Sequence, residues 1–111
     1  FALDELLHEP MPPSAILVRN TGIAEGIARR ARQQGISIPR DLSIVTTGSS
    51  EEQMIFGGSL QLTLIDIHAE ALATTATQLL LDQLAGNQKA IAQSLISPDL
   101  LMGNSSGPAP I

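Results

Sequence analysis

The chain has no cysteine, no tryptophan and no tyrosine. The first absence excludes disulfide frameworks, thiolate zinc sites and thiol nucleophiles. The other two leave Phe1 and Phe56 as the aromatic residues, a fraction of 2%, too small for a base-stacking nucleic-acid module or an aromatic sugar platform. Positive charge is scarce as well. Six Lys and Arg stand against eleven Asp and Glu, for a formal net charge of −5. That balance lacks the electrostatic footprint of a surface that grips DNA or RNA. The cluster of Arg29, Arg30 and Arg32 reads as the solvated face of one helix. No apolar run is long enough to span a bilayer, and the start carries no signal-peptide pattern. The first residue is Phe, already inside a helical pattern, which reads as a fragment of a longer protein.

What is present is apolar. Hydrophobic residues make up 43% and charged residues 15% of 111 positions, the composition of one globular domain. Leu3, Leu6 and Leu7 fall at helical spacing, so residues 1–8 read as a helix that Pro10, Pro12 and Pro13 end. "AILVR" (15–19) is apolar on both faces, the mark of a strand in a sheet covered on both sides. A helix over about 22–34 follows, with Ile23, Ala24, Ile27, Ala28 and Ala31 as its buried stripe and Gly35 as its stop. "LSIVT" (42–46) is a second strand and "LQLTLIDI" (60–67) holds a third. Between them, Ser49 or Ser50 is placed to cap a short helix, with Glu51 and Glu52 in its first turn. A long helix over 68–85 has Leu72, Ala76, Leu79, Leu80 and Leu84 as its core face. Residues 92–104 read as short strands or an extended segment. The Pro-rich end, 105–111, reads as a frayed tail. Helices alternating with strands at this spacing predict an α/β fold: a three-layer αβα, Rossmann-like parallel sheet.

Catalytic motifs are missing. There is no G-x-G-x-x-G, no Walker A and no G-x-S-x-G. His8 and His68 have no partner at metal-ligand spacing, so neither a metal nor a cofactor is expected. Asp66 and His68 are close in sequence, but capping the next helix is a simpler reading than a catalytic pair. What remains is the polar ends of the strands: Asn20-Thr21, Thr47-Gly48-Ser49 and Asp66. Ligands of open α/β sheets bind beyond the carboxyl ends of the strands. These residues are either the ligand edge or simple turns and caps. Met54, Ile55 and Phe56 pose a second alternative, filling the core or forming an exposed patch that meets a partner.

The order of segments in "PPSAILVRNTGIAEGIARRARQQGISIPRDLSIVTTGSS" resembles the effector-binding half of the LacI/GalR family of transcription regulators. That family reads P-T-A-I-x-x-x-N-D-x-x-A-x-G, a helix, then G-x-x-x-P-x-D-x-S-V-V-G-x-D. Pro13, Ser14, Ala15, Ile16, Asn20, Ala24 and Gly26 match, as do Gly35, Pro39, Asp41, Ser43 and Val45. "LTLIDI", "TTATQLLLDQLAGN" and "ISPDLLMGNSS" resemble the family's later strand, last long helix and closing stretch. The resemblance implies a periplasmic-binding-protein-like sensor subdomain over 1–104, with a helix-turn-helix headpiece and the rest of the sensor absent from this stretch. It implies a small-molecule effector, sugar-like or other, held by Asn20, Thr21, Thr47, Gly48, Ser49 and Asp66. It also implies a cytoplasmic homodimer whose contacts include Glu25, Arg29, Met54, Ile55 and Phe56, with Arg30 and Arg32 on the solvent side. Operator DNA would be read through the headpiece and not through this chain. Three departures stand out. The family's Asn-Asp is Asn20-Thr21 here, its Gly-x-Asp-Asp is Thr46-Thr47-Gly48-Ser49, and its closing Arg is Gly103. An ordinary neutral sugar is therefore not the expected ligand; a different effector, a more anionic one and loss of effector binding all stay open. Two other readings compete. A solute-binding protein for transport shares the fold, and an unrelated α/β enzyme fragment would have to rely on Asp66 and His68.

Overall fold

The computed structural model describes residues 2–53, 55–56, 59–87 and 93–111, with Ile55 and Phe56 described through their backbone. In chain order it contains α1 (Ala2–Leu7), β1 (Ala15–Val18), α2 (Thr21–Gln33), β2 (Ser43–Gly48), a 3₁₀ turn (Ser50–Glu52), β3 (Ile55–Phe56), β4 (Leu60–Gln61), β5 (Thr63–Asp66), α3 (Ala69–Leu84) and β6 (Asp99–Leu101). The main sheet has the order β1-β2-β5-β6. β1–β2 and β2–β5 are parallel, with Ile16 opposite Ile44 and Val45 opposite Thr63, while β6 joins the edge antiparallel to β5. The class read from the sequence, an α/β Rossmann-like fold on a parallel sheet, is the class observed. Its third strand is divided: β4 pairs with β3 in a separate two-stranded ribbon, and β5 continues the main sheet.

The β1–α2–β2 unit sets the core. Successive strand residues point to opposite faces, and Val18, Ile44, Thr46 and Leu64 are buried on the face that α2 covers. Ala24, Ala28 and Ala31 are the buried residues of α2. Small side chains at this spacing let the helix lie close to the sheet. Ile23, expected in that stripe, is instead 47% exposed, because the first turn extends beyond the end of β1. Gly35 and Gly86 each adopt φ +73 just past a helix end, the left-handed conformation that glycine takes without penalty. α3 departs further from expectation. None of its residues is buried, and Leu84 is 76% exposed. Of its expected core face, Leu72, Leu80 and Leu84 are exposed.

The segment expected to fray from residue 105 is fastened to the sheet. Ser105 is fully buried and its backbone carbonyl accepts the Ile44 N–H at 2.8 Å. Its hydroxyl donates to the Ile44 carbonyl and accepts the Thr63 N–H. Ser106 and Gly107 then bond the Thr63 and Ser43 hydroxyls. Gly103 occupies a place where a side chain would run into the backbone carbonyls of Gln61 and Leu62.

Arg30, read as a solvent-side residue, ties α2 to α1: its Nε donates to Asp4 at 3.1 Å. That guanidinium, helped by the Gln34 amide, holds the Asp4 carboxyl below its ordinary 3.8. A carboxyl lowered in the folded state contributes stability above its unfolded pKa and loses that contribution as pH falls through the folded value. Asp4→Asn should therefore lower stability slightly between pH 6 and pH 8 and flatten the acid limb of the stability–pH curve, the two proteins converging at low pH, as thermal melts across a pH series would read.

Candidate functional site

Because β1, β2 and β5 run parallel, their carboxyl ends emerge along one edge, and each ends in the polar residues singled out from the sequence. Asn20 has extended backbone at φ −153, and its Oδ1 accepts the Ile23 N–H at 2.9 Å. It is the N-cap of α2, satisfying one of the amide donors that the first turn leaves open. Asn20→Ala should cost about 0.5–2 kcal/mol of stability and Asn20→Asp very little, measurable by denaturant unfolding.

Thr21 and Gly48 meet at a residue the sequence reading did not assign to the site. The Thr21 hydroxyl donates to Glu52 Oε2 at 3.3 Å. A Cβ placed on Gly48 would lie 2.5 Å from that same oxygen, 3.1 Å from Leu64 Cδ1 and 3.3 Å from Thr21 Cγ2. The Glu52 carboxylate thus folds back over the end of β2, into space that residue 48 leaves open by having no side chain. Ser49 stands at the N-cap of the 3₁₀ turn, but its hydroxyl makes no capping bond. The turn closes through the Glu52 N–H on the Ser49 carbonyl at 2.8 Å. Thr47 is directed elsewhere, its hydroxyl donating to the Arg19 carbonyl.

At the end of β5, Asp66 is 6% exposed and its Oδ1 accepts the backbone N–H of His68 at 2.9 Å. His68 is left-handed, at φ 54 and ψ 56. A side-chain-bearing residue rarely adopts this conformation, and its cost is of order 1 kcal/mol or more. Its Nε2 lies 2.8 Å from Asp99 Oδ2 on β6, and its Nδ1 lies 3.6 Å from Asp66 Oδ2. A carboxylate thus faces each ring nitrogen, within hydrogen-bond distance at Nε2. The cluster joins β5, β6 and the start of α3.

A cavity of about 550 Å³ opens here, lined by Ser49, Ser50, Glu51, Asp66, His68 and Glu70 together with the first two turns of α3. Of the six expected effector residues, Ser49 and Asp66 line this cavity. Thr21 and Gly48 sit on the same edge at Glu52, and Asn20 and Thr47 serve the backbone beside it. The cavity carries acidic and hydroxyl groups, and none of its lining residues among those described is Lys or Arg. Among the described residues no cluster of His, Asp and Glu has the arrangement of a metal site. Asp99 was missed by sequence reasoning along with Glu52. Asp99 reaches the edge from β6, some 30 positions beyond His68, and Glu52 from the turn just after β2 by folding back over Gly48, and no local pattern signals either contact.

The expected dimer contacts lie elsewhere. Glu25 and Arg29 form an ion pair of 2.9 Å on the outer side of α2. They border a groove of about 660 Å³ whose floor includes Ala28, Ile36 and Ile38. Ile55 and Phe56 form β3. Met54, and the side chains of Ile55 and Phe56, lie outside the described residues.

Residues 2–106 match the family described as periplasmic binding protein-like domain. The repressor CytR of Escherichia coli K12 is 29% identical over 109 residues, which is 98% of this chain and 31% of that protein. Among solved structures, a LacI transcriptional regulator from a Rhodococcus species superposes with a TM-score of 0.85 at 28% identity, over 98% of this chain and 39% of the other. A LacI-family regulator from Enterococcus faecium, solved with bound ribose, superposes at 0.80 with 25% identity, over 98% and 38%. The chain thus spans about a third of the length of the curated relative. No helix among the described residues is long and apolar enough to cross a membrane.

Proposed function

The chain belongs to the periplasmic binding protein-like domain family, in the branch of the LacI-type regulators, and from that premise we propose that it is the carboxyl-terminal sensor portion of a DNA-binding transcriptional regulator. In this reading residues 1–104 belong to the effector-binding domain. A small molecule binds at the carboxyl ends of β1, β2 and β5, and the signal passes to a dimer whose operator-binding headpiece lies elsewhere in the protein. The observation that carries it is the 550 Å³ cavity at the strand ends of a chain matched over residues 2–106 to this family. The size suits a small ligand. Glu25, Arg29, Met54, Ile55 and Phe56 are the proposed dimer contacts. The reading is of a cytoplasmic, non-enzymatic sensor. It is favoured over a transport binding protein because the similar curated proteins are repressors and regulators.

The test is a thermal-shift screen of the full-length protein against sugars, sugar phosphates and nucleosides. A ligand at 100 times its Kd adds about 2.7 kcal/mol of stability. A hit whose shift shrinks in Asp66→Asn supports the site. A screen whose hits are all indifferent to substitutions at Asp66, Ser49 and Thr21 overturns it.

A further inference from the structure

The root of α3 is fastened through His68. No residue of the helix is buried, so packing along its length supplies little to fix it to the sheet. His68 precedes the first helical residue with a left-handed backbone. Its N–H donates to Asp66 at the end of β5, and its Nε2 lies 2.8 Å from Asp99 Oδ2 on β6. The ring thus stands between the strand that leads into the helix and the edge strand to which the chain returns. Asp66 is buried, and the His68 ring is the one cation-forming group within ion-pair reach of it among the described residues.

We propose that His68 is a pH-operated latch at the root of α3: with both ring nitrogens protonated it bridges Asp66 and Asp99, and with one protonated it holds a single carboxylate and the root loosens. The proposal goes beyond the sensor reading and does not depend on it. Histidine is the side chain whose charge ordinarily changes between pH 5 and 8. A carboxylate only accepts, and a neutral imidazole has a single N–H to give. With that N–H on Asp99, the Nδ1 lone pair faces Asp66 Oδ2 across 3.6 Å, acceptor against acceptor. A second proton turns this repulsion into an ion pair, and bonds between charged partners are the stronger kind. Two further charged groups border the ring's cavity, Glu70 from the first turn of α3 and Glu51 from the 3₁₀ turn. All four carboxylates attract a positive ring, and the amide dipoles at the start of α3 repel it. Moving the root of α3 away from β6 takes Asp99 out of this balance. The latched arrangement therefore binds the second proton more tightly than the opened one, and by linkage that proton favours the latched arrangement. Falling pH closes the latch and rising pH opens it.

The experiment is hydrogen exchange of the full-length protein at pH 6 and pH 8, on either side of the range in which histidine ordinarily titrates. Protection factors, corrected for the intrinsic rate at each pH, are read on peptides spanning Ile67 to Leu72, whose amides bond Gly48, Asp66 and the His68 carbonyl. These amides should be about 3- to 10-fold better protected at pH 6, between the worth of an exposed ion pair and that of a hydrogen bond to a charged group. Amides of α2 are the reference for any change in global stability. His68→Asn is the decisive variant. Asparagine takes the left-handed conformation readily but carries no titrating ring, so the root keeps its backbone and the step between the two pH values should vanish. Asp99→Asn, at a position 70% exposed, should shrink the step without moving α2. A purely structural role for His68 would lower protection equally at both pH values and leave the step in place. A step that survives in His68→Asn overturns the proposal, as does an unaltered protein whose α3 root gains no protection at pH 6 relative to α2. A step lost in His68→Asn but unchanged in Asp99→Asn overturns the bridge to β6.

Discussion

Replacing Ser105 by Ala should cost about 2–4 kcal/mol, because it strips partners from two buried backbone groups at once. The Ser105 hydroxyl accepts the Thr63 N–H at 2.8 Å and donates to the Ile44 carbonyl. Ile44 is fully buried and Thr63 nearly so, so water cannot take over either bond in the folded state. A buried amide or carbonyl left without a partner carries its whole desolvation penalty, which exceeds the net gain from making the bond in the first place. Ending the chain after Asn104 should cost more still, since the Ile44 N–H then loses the Ser105 carbonyl as well. Guanidinium unfolding reads both changes as a lower midpoint at unchanged slope. Hydrogen exchange supplies the local evidence: the Ile44 and Thr63 amides should exchange faster in the shortened chain, while those deep in α2 follow the global stability. If the shortened chain unfolds at the same midpoint as the intact one, the tail frays as its composition suggests and the bridge through Ser105 is of no energetic account.

Ser105 also illustrates what a sequence leaves hidden. "SSGPAPI" is polar and Pro-rich, and by composition it reads as a loose end. Its burial comes from backbone groups of β2 and β5 some 40 and 60 positions earlier, which no local pattern encodes. The placement of Glu52 is hidden too, since it depends on Gly48 lacking a side chain and on the Thr21 hydroxyl, 31 positions earlier, reaching its carboxylate. The elements themselves were legible wherever periodicity or punctuation speaks. Ala24, Ala28 and Ala31 mark the inner face of α2, and Gly35 and Gly86 end α2 and α3 in the left-handed conformation their position requires. α3 shows the limit of that method. The spacing of Leu72, Leu80 and Leu84 correctly gives a helix with an apolar side. Amphipathicity says that a face seeks cover, not what covers it, and among the described residues Leu72, Leu80 and Leu84 stay exposed.

The two faces of the sheet should answer differently to the same deletion. Ile44→Ala should cost about 2–5 kcal/mol, the range for removing a large buried aliphatic side chain and leaving a cavity. Ile44 is fully buried on the central strand β2, packed with Val18, Ala24, Ala28 and Leu62. Relaxation there is hard. α2 already rests on the sheet through alanines, and the neighbouring strands are held in register by their hydrogen bonds. For a domain whose total stability is of the order of 5–15 kcal/mol, such a loss is a large share. Leu17→Ala removes a comparable side chain from the adjacent strand, but on the opposite face, where Leu17 is 67% exposed. A surface substitution of that kind stays within about 1 kcal/mol. The pair is best read by denaturant midpoints under identical conditions. A large difference locates the core between α2 and one face of the sheet. Equal costs would mean that Leu17 is covered in solution, by another part of the protein or another molecule laid on the outer face. The contact would then reveal itself as a concentration dependence of the Leu17→Ala midpoint if a second molecule supplies the cover, and as none if the same molecule does.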